Sequence, residues 1–133
     1  MNPPPDSHAV PATSRAIGPL GEHGPALLDL LSYIYLENDR PDKAAVLLAA
    51  LDELGLADAR QRVSLALAQL RSGKPESALS TLDRVALEGG MSGAFHLVRA
   101  QALVALGREP EALAAMRAYM DLRAQQSASA DPR

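Results

Sequence analysis

Three short stretches decide the fold: Asp39-Arg40-Pro41-Asp42-Lys43-Ala44, Gly73-Lys74-Pro75-Glu76-Ser77-Ala78 and Gly107-Arg108-Glu109-Pro110-Glu111-Ala112. Aligned on the alanine, they place Ala44, Ala78 and Ala112 at two successive intervals of 34 residues. Asp39, Gly73 and Gly107 keep the same interval. Each stretch reads as a turn between two helices. Gly73 and Gly107 suit the left-handed conformation that closes a helix C-terminus. Asn38 or Asp39 takes that place in the first stretch. Pro41, Pro75 and Pro110 fall in the first turn of the following helix, where a missing N–H costs nothing. Asp42, Glu76 and Glu111 favour the positive helix N-terminus.

The residues around these turns have helical periodicity. Ala44, Leu47, Leu48, Leu51 and Leu54 follow the i, i+3, i+4, i+7 pattern of an amphipathic helix. Ala78, Leu79, Leu82, Val85 and Ala86 repeat it, as do Ala112, Leu113, Met116, Tyr119 and Met120. The pattern predicts first (A) helices over 25–38, 60–72 and 93–106, and second (B) helices over 41–54, 75–88 and 109–123. A period of 34 residues is that of tetratricopeptide repeats. The expected fold is all-α: three tetratricopeptide helix-turn-helix repeats in a short right-handed solenoid. Small residues that permit close A–B packing stand in register at Ser32, Ala66 and Ala100. The aromatic usual early in helix A is replaced by Leu28, Arg62 and His96. The proline that usually closes a repeat is replaced by Leu56, Gly90 and Ala124, so Gly55 and the Gly89-Gly90 pair are expected to end the B helices.

The ends of the chain differ in character. Pro3, Pro4, Pro5, Pro11, Pro19 and Pro25 are six of its ten prolines. Residues 1–24 therefore read as a flexible tail, unable to bury enough apolar surface to offset ordering. Residues 25–124 read as the three-repeat domain, and 125–133 as a second flexible tail. The chain of 133 residues has a formal net charge of −3, with the charges interspersed. That argues against a nucleic-acid footprint or a basic membrane-surface patch. There is no cysteine, so disulfides and thiolate metal sites are excluded. No apolar run reaches the length of a membrane span, and Met1–Arg15 lacks the pattern of a secretory signal. A cytoplasmic location is expected.

No constellation for catalysis or cofactor binding stands out, and the chain reads as a non-enzyme. His8 and His23 fall in the N-terminal tail, and His96 reads as a packing residue. No His-x-x-x-His pair suggests a metal. The serines lack a His/Asp arrangement, and no glycine-rich loop follows a strand. The candidate function is binding. In this register the groove-facing positions are Ala26, Asp29, Tyr33 and Leu36, then Arg60, Val63, Leu67 and Leu70, then Ala94, Leu97, Gln101 and Val104. The candidate partner-binding residues are Tyr33, Leu36, Val63, Leu67, Leu70, Leu97, Gln101 and Val104. They lack the Lys, Asn and Arg that grip a C-terminal carboxylate. A mostly apolar groove suits the apolar face of a helix or an extended segment with hydrophobic anchors.

The stretches Ala26–Leu36, Lys43–Leu48, Arg99–Gly107 and Ala118–Leu122 resemble the small tetratricopeptide chaperones of bacterial type III secretion. Within that group the chain is most similar to the YscY (SctY) family. The resemblance implies a heterodimer with a secreted YscX (SctX)-like protein and delivery to a YscV (SctV)-like export gate, with no cofactor. It also leaves the LcrH/SycD class, which holds translocator proteins in its groove, as an alternative. A self-assembling scaffold, homodimeric when alone, is the reading from a different class.

Overall fold

The computed structural model describes residues 23–130. Residues 1–22, which make up most of the expected N-terminal tail, and residues 131–133 lie outside the described residues. Among the described residues six helices follow one another: α1 (Gly24–Glu37), α2 (Pro41–Glu53), α3 (Ala59–Arg71), α4 (Pro75–Leu87), α5 (Gly93–Ala105) and α6 (Glu109–Ala130). They pair as three hairpins, α1 with α2, α3 with α4, and α5 with α6. The hairpins stack in series through α2 on α3 and α4 on α5.

Local chemistry explains each boundary. All five turns end a helix in the same way. The N–H two residues past the cap bonds back to the carbonyl five residues earlier, as in Arg40 to Tyr35 (2.7 Å), Leu56 to Leu51 (2.9 Å) and Lys74 to Gln69 (2.9 Å). The preceding N–H bonds three residues back, as in Gly73 to Leu70 at 3.0 Å. This paired bonding requires a left-handed residue between the two helices. Gly55, Gly73, Gly89 and Gly107 supply it, with φ between 73° and 82°. Asp39 supplies it in the first hairpin at φ 57°, against the steric preference of any residue with a Cβ.

Helix starts alternate in kind. The B helices α2 and α4 open on Pro41 and Pro75. The A helices α3 and α5 open on side-chain caps. Asp58 accepts from the Gln61 N–H at 2.8 Å while the Gln61 side chain accepts from the Asp58 N–H at 2.9 Å, and Ser92 accepts from the Phe95 N–H at 3.2 Å.

The A–B contacts depend on small residues. Ser32, Ala66 and Ala100 are buried, as are Ala44, Ala78 and Ala112 opposite them. The Ser32 hydroxyl satisfies itself by donating to the Leu28 carbonyl at 2.8 Å. Between hairpins, Leu65 of α3 packs against Leu48 and Leu51. Phe95, Val98 and Ala102 of α5 pack against Val63, Leu82 and Val85. The second of these seams is the larger apolar cluster. There α3 and α5 also meet directly, while α1 and α3 approach less closely.

The last helix departs from the expected layout. The sequence reading ends the domain at 124, yet α6 continues to Ala130. No Gly or Pro interrupts Ala124–Ala130, and its alanines and glutamines favour helix. The side chains from Arg123 to Ala130 are exposed, so this extension is helix without a packed face.

Candidate binding channel

The A helices place two adjoining cavities along one face of the stack. The larger, about 530 Å³, lies between α3 and α5 and is closed at one end by the loop Gly89-Gly90-Met91-Ser92. Val63, Leu67, Ala94 and Val98 form its apolar walls. The smaller, about 260 Å³, lies where α1 stands off from α3, and is lined by Ala26, Leu30, Tyr33 and Leu36 among others. Arg60 and Ser64 border both, so the two cavities adjoin along the face of the A helices, and the pair is termed the channel.

Four of the eight candidate residues line this channel. Tyr33 and Leu36 border the smaller cavity, and Val63 and Leu67 the larger. Val63 is also part of the core cluster and offers only its edge. Leu70, Leu97, Gln101 and Val104 line neither cavity. Leu70 is half-buried against the middle core, Leu97 is half-buried on α5, and Gln101 and Val104 are exposed. Sequence reasoning missed the Gly89–Ser92 wall. A signal was present in the Gly-Gly pair, since adjacent glycines mark close backbone approach. A Cβ on Gly90 would lie 2.7 Å from Ala59 Cβ and 3.0 Å from Val85 Cγ1.

The channel carries one ion pair and no free charge on its lining. Arg60 Nη2 donates to Asp29 Oδ2 at 2.7 Å, bridging α1 and α3. That hydrogen bond holds the Arg60 pKa above its ordinary value. The pair neutralises itself, so a bound segment meets an apolar wall with one dipolar rung.

A second polar cluster lies outside the channel. The Asp52 carboxylate of α2 accepts from Arg62 Nε of α3 at 2.9 Å and from Arg84 of α4 at 2.7 Å. Arg62 also pairs with Glu88. Burial alone would raise the Asp52 pKa. The hydrogen bonds and charges of Arg62 and Arg84 outweigh it and hold the group below its ordinary value. This cluster fastens the first hairpin to the second.

His96 stands edge-on to the Phe95 ring, with centroids 5.1 Å apart. Burial, and then the Arg99 charge, push its pKa down. Among the described residues no group of three or more His, Cys, Asp or Glu is placed to hold a metal ion. No described helix is long and apolar enough to cross a membrane. His8 lies outside the described residues.

The tetratricopeptide-repeat family model matches residues 59–84 and 93–118. These are α3 with most of α4, and α5 with the first half of α6. The fold is a tetratricopeptide-repeat solenoid. The first hairpin, outside the matched segments, repeats the same turn, the same proline start and the same buried alanine at Ala44. Tetratricopeptide folds are generally non-enzymatic scaffolds for protein partners, and the channel has the shape and chemistry for that use. No curated protein and no solved structure matches the chain.

Proposed function

We propose that this tetratricopeptide protein is a cytoplasmic type III secretion chaperone of the YscY (SctY) kind. It holds an apolar segment of a secreted YscX (SctX)-like partner in the channel and helps deliver it to a YscV (SctV)-like export gate. The observation that supports the binding reading is the channel itself, strongly apolar in its larger cavity, with its single ion pair internally neutralised. A carboxylate-gripping site would instead set unpaired cationic groups there. The secretion context rests on the resemblance of Ala26–Leu36, Lys43–Leu48, Arg99–Gly107 and Ala118–Leu122 to that family.

In this mechanism the partner buries apolar anchors against Tyr33, Leu36, Val63 and Leu67, with Leu70, Leu97 and Val104 along the flank and Gln101 at its polar edge. Binding hides aggregation-prone surface, and no nucleotide is needed. An LcrH/SycD-like translocator chaperone would use the same channel, whose run across three A helices suits an extended segment. Co-purification with a small helical secreted protein, as against a translocator, separates the two.

Leu67→Asp places a carboxylate on the wall of the larger cavity and is expected to abolish complex formation while circular dichroism still reports helix. Ala94→Glu, at an exposed position on the opposite wall, is the companion variant that leaves the core untouched. Retention of partner binding in both variants refutes the channel as the site.

A further inference from the structure

The repeat register allows one helix face to be compared in three surroundings. On α3 this face carries Gln61, Ser64, Leu65 and Ala68; Gln61, Leu65 and Ala68 are 8%, 3% and 0% exposed, and Ser64 is half-buried beside the channel. On α5 it carries Phe95, Val98 and Ala102, at 3%, 5% and 0%, with Arg99 half-buried at the remaining position. In both cases the preceding hairpin covers it. On α1 the residues in register are Leu27, Leu30, Leu31 and Ile34, and they are 42%, 54%, 39% and 43% exposed. No described hairpin precedes α1. The helix therefore presents an interior face, four large aliphatic side chains without a charge among them, to its surroundings. Such a contiguous apolar ridge is the mark of an interface.

The other end of the stack holds the complement. Phe95, Val98 and Ala102 seat in a groove built by Val63, Leu67 and Leu70 of α3 with Leu82, Val85 and Ala86 of α4. The residues in register on the last hairpin are Leu97, Gln101 and Val104 of α5 with Met116, Tyr119 and Met120 of α6. No described helix fills that groove, and Val104 and Met120 are each 62% exposed. Its methionines adapt to varied apolar shapes.

We propose that these two ends are the halves of one interface. The α1 face of one copy seats in the α5/α6 groove of a second copy, and the stack continues head to tail across molecules. The internal seam between α5 and the α3/α4 hairpin is its template. The two surfaces differ, so the contact does not close on itself and grows with concentration. The two surfaces share Leu30 with the smaller cavity and Leu97, Gln101 and Val104 with the flank of the proposed partner site, but Ile34 and Met120 line neither cavity, so substitutions there test this inference separately from the partner reading.

Sedimentation velocity on the full chain over a range of concentrations tests it, with circular dichroism to confirm retained helix. The weight-average mass is expected to rise with concentration. Ile34→Glu and Met120→Glu are each expected to weaken association about 100-fold or more, because each sets a carboxylate into an apolar seam. Mixed together, the two variants are expected to form a dimer and nothing larger, since each contributes one intact end. A chain that stays monomeric throughout overturns the proposal. So does a dimer that Met120→Glu leaves intact, which would mean symmetric pairing of α1 with α1. Association that appears only when residues 1–22 are removed also overturns it, because that stretch would then be the cover of the α1 face.

Discussion

Replacing Gly90 with alanine is a sharp test of how the second and third repeats meet. Gly90 has no positive φ, so its backbone accepts an alanine. The obstacle is space. The new methyl would sit 2.7 Å from Ala59 Cβ and 3.0 Å from Val85 Cγ1, both on packed helices. Overpacking of this kind costs roughly 1–3 kcal/mol. Loss of glycine's freedom in the unfolded chain offsets roughly 0.4–1 kcal/mol of that. The net expectation is a loss of about 1–2 kcal/mol, or about 4–8 °C in Tm for a domain of this size. Thermal denaturation followed by circular dichroism reads it. Ala59→Gly removes the closest contact. In the Gly90→Ala background it is expected to recover part of the loss, whereas alone it destabilises the start of α3. Gly89→Ala is the contrast: it has open space but φ +81°, so its cost comes from the backbone and does not couple to Ala59. A Gly90→Ala protein whose Tm lies within about 1 °C of the parent, or no coupling with Ala59→Gly, refutes the packing argument.

Two further outcomes concern stability. Asp52→Asn leaves Arg62 and Arg84 without their shared carboxylate and is expected to cost about 1–2 kcal/mol in urea titrations, a figure reduced because Arg84 is half exposed. The Asp52 pKa is lowered from 3.8, so its contribution is complete above that pH and is lost as the pH falls through the lowered value; Asp52→Asn is expected to flatten that acid loss. Ending the chain after Arg123 removes only exposed turns of α6, and is expected to reduce the helical circular dichroism signal while shifting Tm by less than about 2 °C.

The repeat was legible because its determinants are local. A left-handed residue at Asp39, Gly73 and Gly107, a proline soon after, and an alanine at fixed distance all act within one turn, and five of the six helices begin and end within one residue of expectation. The extent of α6 was less so, because Ala124–Ala130 has helical propensity but no apolar stripe to declare it. The channel was legible in part. The register locates Tyr33, Leu36, Val63 and Leu67 on the right helices. It does not separate the concave face from the seam that the next A helix covers, which is why Val63 is buried while Val104, with no described A helix after its own, is exposed. The Gly-Gly pair hints at a close approach in the Gly89–Ser92 wall, but its partner, Ala59, lies some thirty residues away in the chain, and the local pattern does not name it.

The two seams of the solenoid are made of different materials. The second is apolar, a cluster around Phe95, Val98 and Val63. The first holds a smaller apolar cluster and leans on Asp29–Arg60 and the Asp52 network. Dissolved ions screen the exposed pair strongly and the half-buried network less, and they leave apolar contact unweakened. Ionic strength is therefore expected to weaken one joint of this array more than the other. Raising the salt is expected to loosen the α1–α3 bridge beside the smaller chamber more than the apolar contacts around the chamber between α3 and α5.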